Sequence, residues 1–319
     1  MLKKCILFTV IVGLLIYFPA FAQRYSGKKV LYIDSYHEGY EWSDGITKGV
    51  RDTLEGSGVT LEIYRMDTKR NTSEEFKVNS GLKAKAIIEE FRPDVVIASD
   101  DNASKYIIAK FYKDADLPFV FCGLNWDASI YGYPYNNVTG MVEVALIPQL
   151  IDHLKVFAKG NRIGYIAADV VTARKEGEYY RKYFNLDIDE RYVKTMDEWK
   201  KVFNEIQNDV DILIVGNYAG INDWNYDVIT PWMEENTTVP TGCIYDWMAP
   251  LSLVGLTKVA EEQGIWGAQA ALKILGGTPP TAIPIVKNRQ GKLYLNLKIA
   301  KNLGVRFRST LLKHAEVIE

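Results

Sequence analysis

The chain has 319 residues, of which 38 are lysine or arginine and 40 are aspartate or glutamate, giving a formal net charge of −2. This balance, together with the lack of a basic run, gives no reason to expect a nucleic-acid partner. With 3 histidines and 3 cysteines, none in metal-ligand spacing, neither a metal nor a cofactor is expected. The length predicts two domains of ordinary size, each burying its own core.

The first 22 residues predict a secretory signal peptide. Two lysines open the chain, residues 5–18 are apolar, and Ala20 and Ala22 place small side chains before a cut. The alternative is an uncleaved membrane anchor, for which the apolar run is shorter than the ~20 residues of a spanning helix. After cleavage, Gln23 rather than a lipid-modifiable cysteine would come first. The sequence therefore predicts a periplasmic protein that is neither lipidated nor membrane-spanning.

Apolar, β-rich runs alternate with amphipathic helical segments along the rest of the chain. The predicted strands of the first half are 30–33, 60–64, 95–98 and 119–121, with helices at 44–54, 78–91 and 103–112. The second half repeats the pattern with strands at 162–166, 190–193 and 212–215, helices at 172–184 and 197–207, short β runs at 285–286 and 293–295, and an amphipathic stretch at 297–303. Alternation of this kind predicts an α/β protein of two Rossmann-like lobes with parallel sheets.

Helix-stopping and turn-forming residues indicate where the chain crosses between the lobes. The predicted crossings are residues 140–148, Ala249-Pro250 and 276–280. The first lobe would then contain residues 23–142 and 250–278, and the second residues 143–249 and 279–319. Three crossings form a hinge, and hinge closure traps ligands between lobes.

Cys122 and Cys243 are the cysteines that follow the signal peptide. A disulfide between them is one alternative, because the export compartment permits it. Their predicted positions at strand ends of different lobes favour two free thiols.

The segments that follow the predicted strands are rich in hydroxyl, amide, carboxylate and aromatic side chains. In open parallel sheets, ligands bind beyond the carboxyl ends of the strands. The predicted ligand-binding residues are Ser35, Tyr36, Trp42, Ser99, Asp100, Asn125, Trp126, Thr172, Asn217, Tyr218, Asp246 and Trp247. The alternative for single residues such as Ser43, Asp101 and Thr172 is helix capping, and the free amides of a helix start would still suit an anion.

Large aromatic side chains in these segments need an explanation, because loops at strand ends are normally exposed. A flat or apolar ligand held between rings would supply one, and packing at the lobe interface is the alternative. The rings concerned are Tyr36, Trp42, Trp126, Tyr218 and Trp247. Asp246 and Asp169 are candidates to pair with a ligand ammonium, since a carboxylate in a closing cleft attracts a cation.

Catalysis is not favoured by these segments. His37 with Glu38 and Glu41, or Asp100 with Asp101, could be acid–base pairs. Adjacent residues in a turn seldom converge on one reacting atom, and no nucleophile elbow, phosphate-binding loop or dinucleotide fingerprint is present.

Three stretches resemble the ABC-transporter substrate-binding proteins of the tryptophan/tyrosine type, which have the type I periplasmic-binding-protein fold. They are VFCGLNWD at 120–127 with NVTG at 137–140, GIWGAQAALKILGG at 264–277, and YLNLKIAKNLGV at 294–305. The resemblance spans most of the chain after the signal peptide. Its motifs are fairly specific in combination and order, and none is specific to one ligand.

The resemblance implies a cleft that takes an amino acid or a similar small molecule without performing chemistry on it. It places ligand-facing groups at Ser35, Tyr36, Ser99, Asp100, Asn125, Asn217 and Asp246. The turn at 36–42 departs from the pattern, because it is bulkier and more charged than is typical of transport components. It is similar to the turns of binding-protein-like sensor modules attached to signalling kinases.

The leading hypothesis is a monomeric, non-enzymatic receptor that captures an aromatic or branched amino acid, or a similar small molecule, and delivers it to an ABC permease. The alternative is a ligand-sensing module that reports to a membrane histidine kinase or another signalling receptor.

Overall fold

The computed structural model describes residues 24–319, so the predicted signal peptide lies outside the described residues. The strands are β1 (Lys29–Asp34), β2 (Thr60–Arg65), β3 (Val95–Ser99), β4 (Phe119–Asn125), β5 (Val138–Glu143), β6 (Ile163–Ala168), β7 (Ile188–Val193), β8 (Ile212–Val215), β9 (Thr241–Cys243), β10 (Val254–Lys258), β11 (Val286–Lys287), β12 (Gly291–Asn296) and β13 (Ala315–Ile318).

The helices are α1 (Glu41–Leu54), α2 (Glu74–Phe91), α3 (Asp100–Ala103), α4 (Ala109–Phe111), α5 (Ile147–Lys155), α6 (Val171–Phe184), α7 (Met196–Ile206), α8 (Tyr226–Asn236), α9 (Ala260–Leu275), α10 (Leu297–Leu303) and α11 (Ser309–Leu312). A π-helical turn, Ser104–Ile108, joins α3 to α4. The strand and helix runs predicted from the apolar pattern are confirmed, whereas β5, α5, α8, β9, β10, α9, α11 and β13 are additional elements.

The first lobe is built on a six-stranded sheet in the order β11-β5-β4-β3-β1-β2, with every neighbouring pair parallel. Successive residues of a strand point to opposite faces, and both faces of this sheet are covered. Val30 and Tyr32 pack in one apolar cluster with residues of α1 and α9, while Leu31 and Ile33 pack in another with residues of α2.

The second lobe is built on a seven-stranded sheet in the order β13-β12-β10-β9-β8-β6-β7. Its pairs are parallel except for β10 and β12, which run antiparallel. The predicted fold class, two α/β lobes with largely parallel sheets, is confirmed. Cys122 lies in the first sheet and Cys243 in the second, and both are buried free thiols, as expected.

Strand pairing moves two of the predicted crossings between the lobes. The first crossing lies between Glu143 and Ile147, within the predicted segment. The crossing predicted at Ala249-Pro250 is wrong, because these residues lie in a 3-10 turn that is followed by β10 of the second sheet. The chain leaves that sheet only after Lys258.

The crossing predicted at residues 276–280 is also wrong. The chain stays with the first lobe through β11, which pairs with β5, and returns to the second lobe before Gly291. The first lobe therefore contains residues 24–143 and 260–287, and the second contains residues 147–258 and 291–319. Glycines and prolines follow the end of α9 at 276–280, and Pro250 lies inside the 3-10 turn, but the chain turns at both sites without changing lobes.

Polar contacts fasten the three crossings to one another. The Glu143 carboxylate pairs with the Lys258 ammonium, which joins the first crossing to the second. The side-chain oxygen of Asn288 accepts from the Val144 amide at 2.7 Å, which joins the third to the first. Glu262, in the first turn of α9 directly after the second crossing, accepts from the amide of Gln290 at 2.8 Å, which joins the end of the second crossing to the third.

Helices α1 and α9 approach closely because glycine stands at their contact. A Cβ on Gly264 would lie 2.0 Å from the carbonyl oxygen of Ile46, and one on Gly49 would lie 2.4 Å from that of Glu261. Both neighbours are backbone atoms in packed helices, so neither can move aside cheaply. The contact holds the helix after β10 against the helix after β1.

We expect Gly264→Ala to lower the free energy of unfolding by roughly 1–3 kcal/mol, the cost of overpacking a tight contact. Gly267→Ala, on the same helix, is the matched control, because its Cβ would meet the Ile97 side chain at an ordinary 3.4 Å. The control should be neutral or stabilising by up to about 1 kcal/mol, since alanine is the better helix former. Urea unfolding of both variants measures the difference, and equal stabilities would contradict the close helix contact.

Candidate functional site

A cleft of about 880 Å³ lies between the lobes at their crossings. Its lining includes, from the first lobe, Tyr36, Tyr40, Trp42, Lys69, Asp100 and Asn125; from the crossings, Glu143 and Lys258; and from the second lobe, Tyr245, Asp246, Trp247 and Lys292. The carboxyl ends of several strands of both sheets meet here, which is where open parallel sheets bind ligands.

Half of the predicted ligand-binding residues line this cleft. They are Tyr36, Trp42, Asp100, Asn125, Asp246 and Trp247. The structure thus brings together side chains that lie more than 200 positions apart in the sequence. Their role as ligand contacts stays a prediction.

Asp100 is the most unusual of these residues. It follows β3 with a positive φ of 67°, which is uncommon outside glycine but tolerated by aspartate. Its side chain is buried, with Oδ1 accepting from the Trp42 indole N–H at 3.1 Å. Oδ2 is buried without a hydrogen-bond partner among the described residues. Burial, reinforced by the negative charges of Glu143 and Asp34, raises the pKa of Asp100 well above its usual range.

Trp42 lies between an acidic and a basic side chain. Its indole N–H donates to the Asp100 carboxylate, and the Lys258 ammonium lies 5.6 Å from its ring centroid. Lys258 is paired with Glu143, whose side chain is only 8% exposed. The floor of the cleft therefore holds a buried carboxylate at one edge of an indole and an ammonium over its face.

The turn that follows β1, residues 36–42, forms one rim of the cleft. The rings of Tyr36 and Tyr40 meet edge to face at 5.4 Å, and the Lys69 ammonium lies 5.0 and 4.7 Å from their centroids. Asp34 beneath them is fully buried and accepts from the Tyr36 amide at 3.0 Å and the Ser43 hydroxyl at 2.8 Å. Burial raises the pKa of the Asp34 carboxyl, although these hydrogen bonds oppose the shift.

The second lobe supplies an aromatic wall. The rings of Tyr245 and Trp247 stack at 4.7 Å with 25° between their planes. Trp247 is 49% exposed, and Asp246 between them is also exposed. The Tyr245 hydroxyl donates to the carboxylate of Glu176, which lies on α6. The wall consequently presents a ring stack to the cleft and is anchored inside its own lobe.

Ser35 and Ser99 lie beneath the cleft, not on its surface. Both are fully buried. The Ser35 hydroxyl donates to the Ser99 carbonyl at 2.5 Å and accepts from the Ala103 amide at 2.9 Å. The Ser99 hydroxyl is shared with that of Tyr32 at 3.1 Å. Their hydrogen bonds hold the strand-end turns in place instead of facing the cleft.

Trp126 lies at the lobe interface, as the alternative interpretation of the rings allowed. It stacks on Tyr179 of α6 at 4.6 Å with 2° between the planes, and it meets Tyr183 edge to face at 5.9 Å. Its ring packs against the apolar clusters of both lobes. Trp126 is outside the cleft lining and instead joins the end of β4 to the second lobe.

The other predicted residues of the second lobe lie away from the cleft. Thr172 is exposed near the start of α6. The side-chain oxygen of Asn217 accepts from the Ala219 amide at 2.8 Å, and Tyr218 stacks on Trp224 at 4.8 Å. These residues follow β6 and β8, whereas the cleft is bordered by the β9, β10 and β12 side of the sheet.

Asp169, the second candidate to pair with a ligand ammonium, also lies away from the cleft. Its carboxylate contacts Arg174 at 2.6 Å and Lys194 at 3.7 Å, outside the cleft. Two cations of its own lobe already neutralise it, so it is not available to a ligand ammonium.

Several cleft residues were not predicted from the sequence. They include Tyr40, Lys69, Glu143, Tyr245 and Lys258. Tyr245 directly precedes two predicted residues, and the run VGLTK at 254–258 is a β-type signal that would have placed Lys258 at a strand end. Lys69 carries no comparable signal in the sequence.

A family model described as ABC transporter substrate binding protein matches residues 40–318. The chain belongs to this family. None of the curated proteins matches it. The family is one of binding proteins, not of enzymes, in agreement with the resemblance noted in the sequence.

Solved structures with the same fold include other binding proteins. CD0873 from Clostridium difficile, described as a ligand-free, open substrate-binding protein with adhesive properties, has a TM-score of 0.67 at 17% identity and covers 92% of this chain and 99% of its own. An ABC domain in complex with L-Trp from Streptococcus pneumonia has a TM-score of 0.53 at 17% identity, covering 92% of this chain and 100% of its own.

A periplasmic ribose ABC transporter from Conexibacter woesei has a TM-score of 0.53 at 14% identity, covering 88% of this chain and 96% of its own. At these identities the likeness establishes the fold, which is that of the type I periplasmic binding proteins. None of the helices among residues 24–319 of this substrate-binding protein has the length and apolar character needed to cross a membrane.

In this substrate-binding protein we expect Trp126→Ala to lower the free energy of unfolding by roughly 2–3 kcal/mol, somewhat below the cost of removing a fully buried tryptophan. The reason is that its ring packs on both lobes. Trp247→Ala is the matched control and should cost less than about 1 kcal/mol, because this ring is half exposed. Thermal unfolding followed by circular dichroism compares them, and equal losses would contradict the assignment of Trp126 to the interface.

Asp100→Asn should stabilise this substrate-binding protein at neutral pH. With a raised pKa, the native carboxyl keeps its proton at pH values where the unfolded chain has lost it, so its presence lowers stability increasingly as the pH rises above about 4. Below that pH the advantage of the variant should vanish. Asparagine tolerates the positive φ and can still accept from Trp42. Melting temperatures between pH 3 and 8, with the exposed Asp246→Asn as control, test the sign.

Proposed function

We propose that this protein captures an α-amino acid with an aromatic or branched side chain, and that it delivers the ligand to an ABC permease. The single observation that carries the proposal is the position of Trp42 between the Asp100 carboxylate and the Lys258 ammonium. A zwitterionic head group laid along the indole would meet an opposite charge at each end.

Asp100 supplies the site for the ligand ammonium. Its Oδ2 is buried in the apo cleft without a hydrogen-bond partner among the described residues, which is an unfavourable state for a carboxylate. An arriving ammonium would displace to solvent the proton that burial favours on this carboxyl, satisfy the oxygen and offset the desolvation of both charges. Glu143, close enough to raise the pKa of Asp100, adds negative potential at the same place.

Lys258 supplies the site for the ligand carboxylate. It is held by Glu143 in the absence of ligand, and its side chain is still 25% exposed at the cleft. A carboxylate arriving beside it would share this ammonium. Lys69 and Lys292 also line the cleft and keep the ligand carboxylate in a favourable field.

Aromatic rings on both lobes suit an aromatic or branched side chain. Tyr36 and Trp42 lie on the first lobe, and the stacked Tyr245 and Trp247 lie on the second. Closure of the lobes would enclose an apolar side chain between these walls. The fold alone does not select the ligand, because similar structures include one solved with L-Trp and one described as a ribose transporter.

The cleft residues are proposed to bind and not to react. Release to the periplasm, by way of the predicted signal peptide, would place the protein beside its permease. The sensory alternative is favoured by one observation, the turn at 36–42, in which Glu38 and Glu41 are exposed beside half-buried aromatic rings at the cleft. Co-purification of this protein with a permease or with a sensor kinase encoded by a neighbouring gene distinguishes the transport function from the sensory one.

A thermal-shift screen of amino acids, sugars and polyamines tests the ligand class. Aromatic and then branched amino acids should give the largest increases, and at a hundredfold excess over the dissociation constant the stabilisation is about 2.7 kcal/mol. Tryptamine and indole-3-propionate, which each lack one charge of the head group, should shift the melting temperature less than tryptophan. A response to sugars or polyamines alone would overturn the proposal.

Two matched variants complete this experiment. Asp100→Asn should weaken amino-acid binding by roughly 2–4 kcal/mol, because it leaves the ligand ammonium unpaired in a buried site. Asp246→Asn should change it by less than about 1 kcal/mol, since that carboxylate is exposed. The reverse order would move the ammonium site to the second lobe.

A further inference from the structure

Glu176 connects the aromatic wall of the cleft to the interior of the second lobe. It lies on α6 and is not among the residues that line the cleft. Its carboxylate accepts from the Tyr245 hydroxyl and, at 3.1 Å, from the hydroxyl of Tyr165, a fully buried residue of β6. One carboxylate therefore ties a cleft residue to a core residue.

This contact fixes the orientation of the Tyr245 ring. The ring faces the cleft, while its hydroxyl bonds to a group behind the cleft surface. A phenol anchored at its hydroxyl loses the freedom to turn about its side-chain bonds, so its plane is set before a ligand arrives. Trp247, which is half exposed, gains its support from stacking on that plane at 4.7 Å.

Glu176 is held where a carboxylate is costly. Burial raises the pKa of its carboxyl, while the hydrogen bonds from Tyr245 and Tyr165 and the charge of Lys258 lower it. An aliphatic side chain would pack in the same place without this cost, but it would remove the acceptor of the Tyr245 hydroxyl and leave the Tyr165 hydroxyl with only the Ala173 carbonyl at 3.5 Å. The cost of the buried carboxyl is consistent with a requirement for a fixed acceptor at this point.

We propose that Glu176 is a positioning residue for ligand selection: acting through Tyr245, it holds the Tyr245–Trp247 stack in the plane that receives a flat side chain. It favours aromatic over branched ligands and does not itself touch the ligand. The inference rests on the proposed function, because it concerns which amino acid the cleft prefers.

Isothermal titration calorimetry with L-tryptophan and L-leucine tests this role in the mature protein. Glu176→Ala and Tyr245→Phe should each weaken tryptophan binding about tenfold, the size of one net hydrogen bond, and should leave leucine binding within about twofold. The double variant should lose no more than either single one, since both remove the same contact. Glu176→Gln should retain most of the preference, because its amide oxygen can still accept from Tyr245.

Glu178→Ala is the matched control on the same helix. Glu178 is exposed and pairs with Lys182, so its removal should leave both affinities unchanged. If Glu176→Ala does not fold, Tyr245→Phe carries the test, because it keeps the ring and removes only the hydroxyl.

The outcomes separate this inference from the proposed function. Suppose that the wild type binds both amino acids, and that Tyr245→Phe and Glu176→Ala keep its ratio of tryptophan to leucine affinity. This result would overturn the positioning role and leave the proposed function intact. An equal loss for both ligands would likewise reduce Glu176 to a structural residue. If the wild type binds neither amino acid, the proposed function fails and the inference fails with it.

Discussion

The site depends on how the three chain crossings are fastened to one another. Glu143 pairs with Lys258, Asn288 bonds the segment after Glu143, and Glu262 bonds the segment after Asn288. Because these contacts bond each crossing segment to the other two, the three segments form one connected joint at the floor of the cleft. The same Glu143–Lys258 pair lies beside Trp42 and Asp100, so the hinge and the proposed head-group site share their charges. Ligand binding at Lys258 would therefore act directly on a contact between crossings.

Asp100 lowers the stability of the ligand-free protein at the place where we propose that the ligand ammonium binds. Its positive φ, its burial and the lack of a hydrogen-bond partner for Oδ2 within residues 24–319 each make the ligand-free state less favourable. The Trp42 indole N–H needs an acceptor here, and an uncharged asparagine would supply one at lower cost than a buried carboxylate. A bound cation would turn the same three features into a favourable interaction, since the oxygen is already oriented and largely dehydrated. The unfavourable state of this one residue is thus the main physical argument for the proposed head-group site.

The sequence pattern predicts the sheets well, and half of the residues it proposes for ligand binding lie at the cleft, for physical reasons visible in single residues. Runs such as Val95–Ser99 are apolar throughout because both faces of the sheet are covered, so the fold could be inferred. At the end of that run, Ser99 is buried, whereas Asp100 reaches the cleft because its left-handed backbone redirects the side chain. Periodicity contains no information on that turn. Trp126 was misassigned for a related reason: its partners lie on α6, and only tertiary packing brings them together.

Helix α6 contacts aromatic residues at two places, Trp126 at the lobe interface and Tyr245 in the wall of the cleft. One turn of the helix carries Glu176, which anchors Tyr245, and the next turns carry Tyr179 and Tyr183, which hold Trp126. Residues three and four positions apart share a helix face, so these groups are on neighbouring surfaces of one rigid element. If the first lobe moved, Trp126 would displace α6, and Glu176 on that helix would in turn displace Tyr245 in the aromatic wall of the cleft. Trp126 and the Tyr245–Trp247 stack, which are far apart in the sequence, are thereby connected through a single helix.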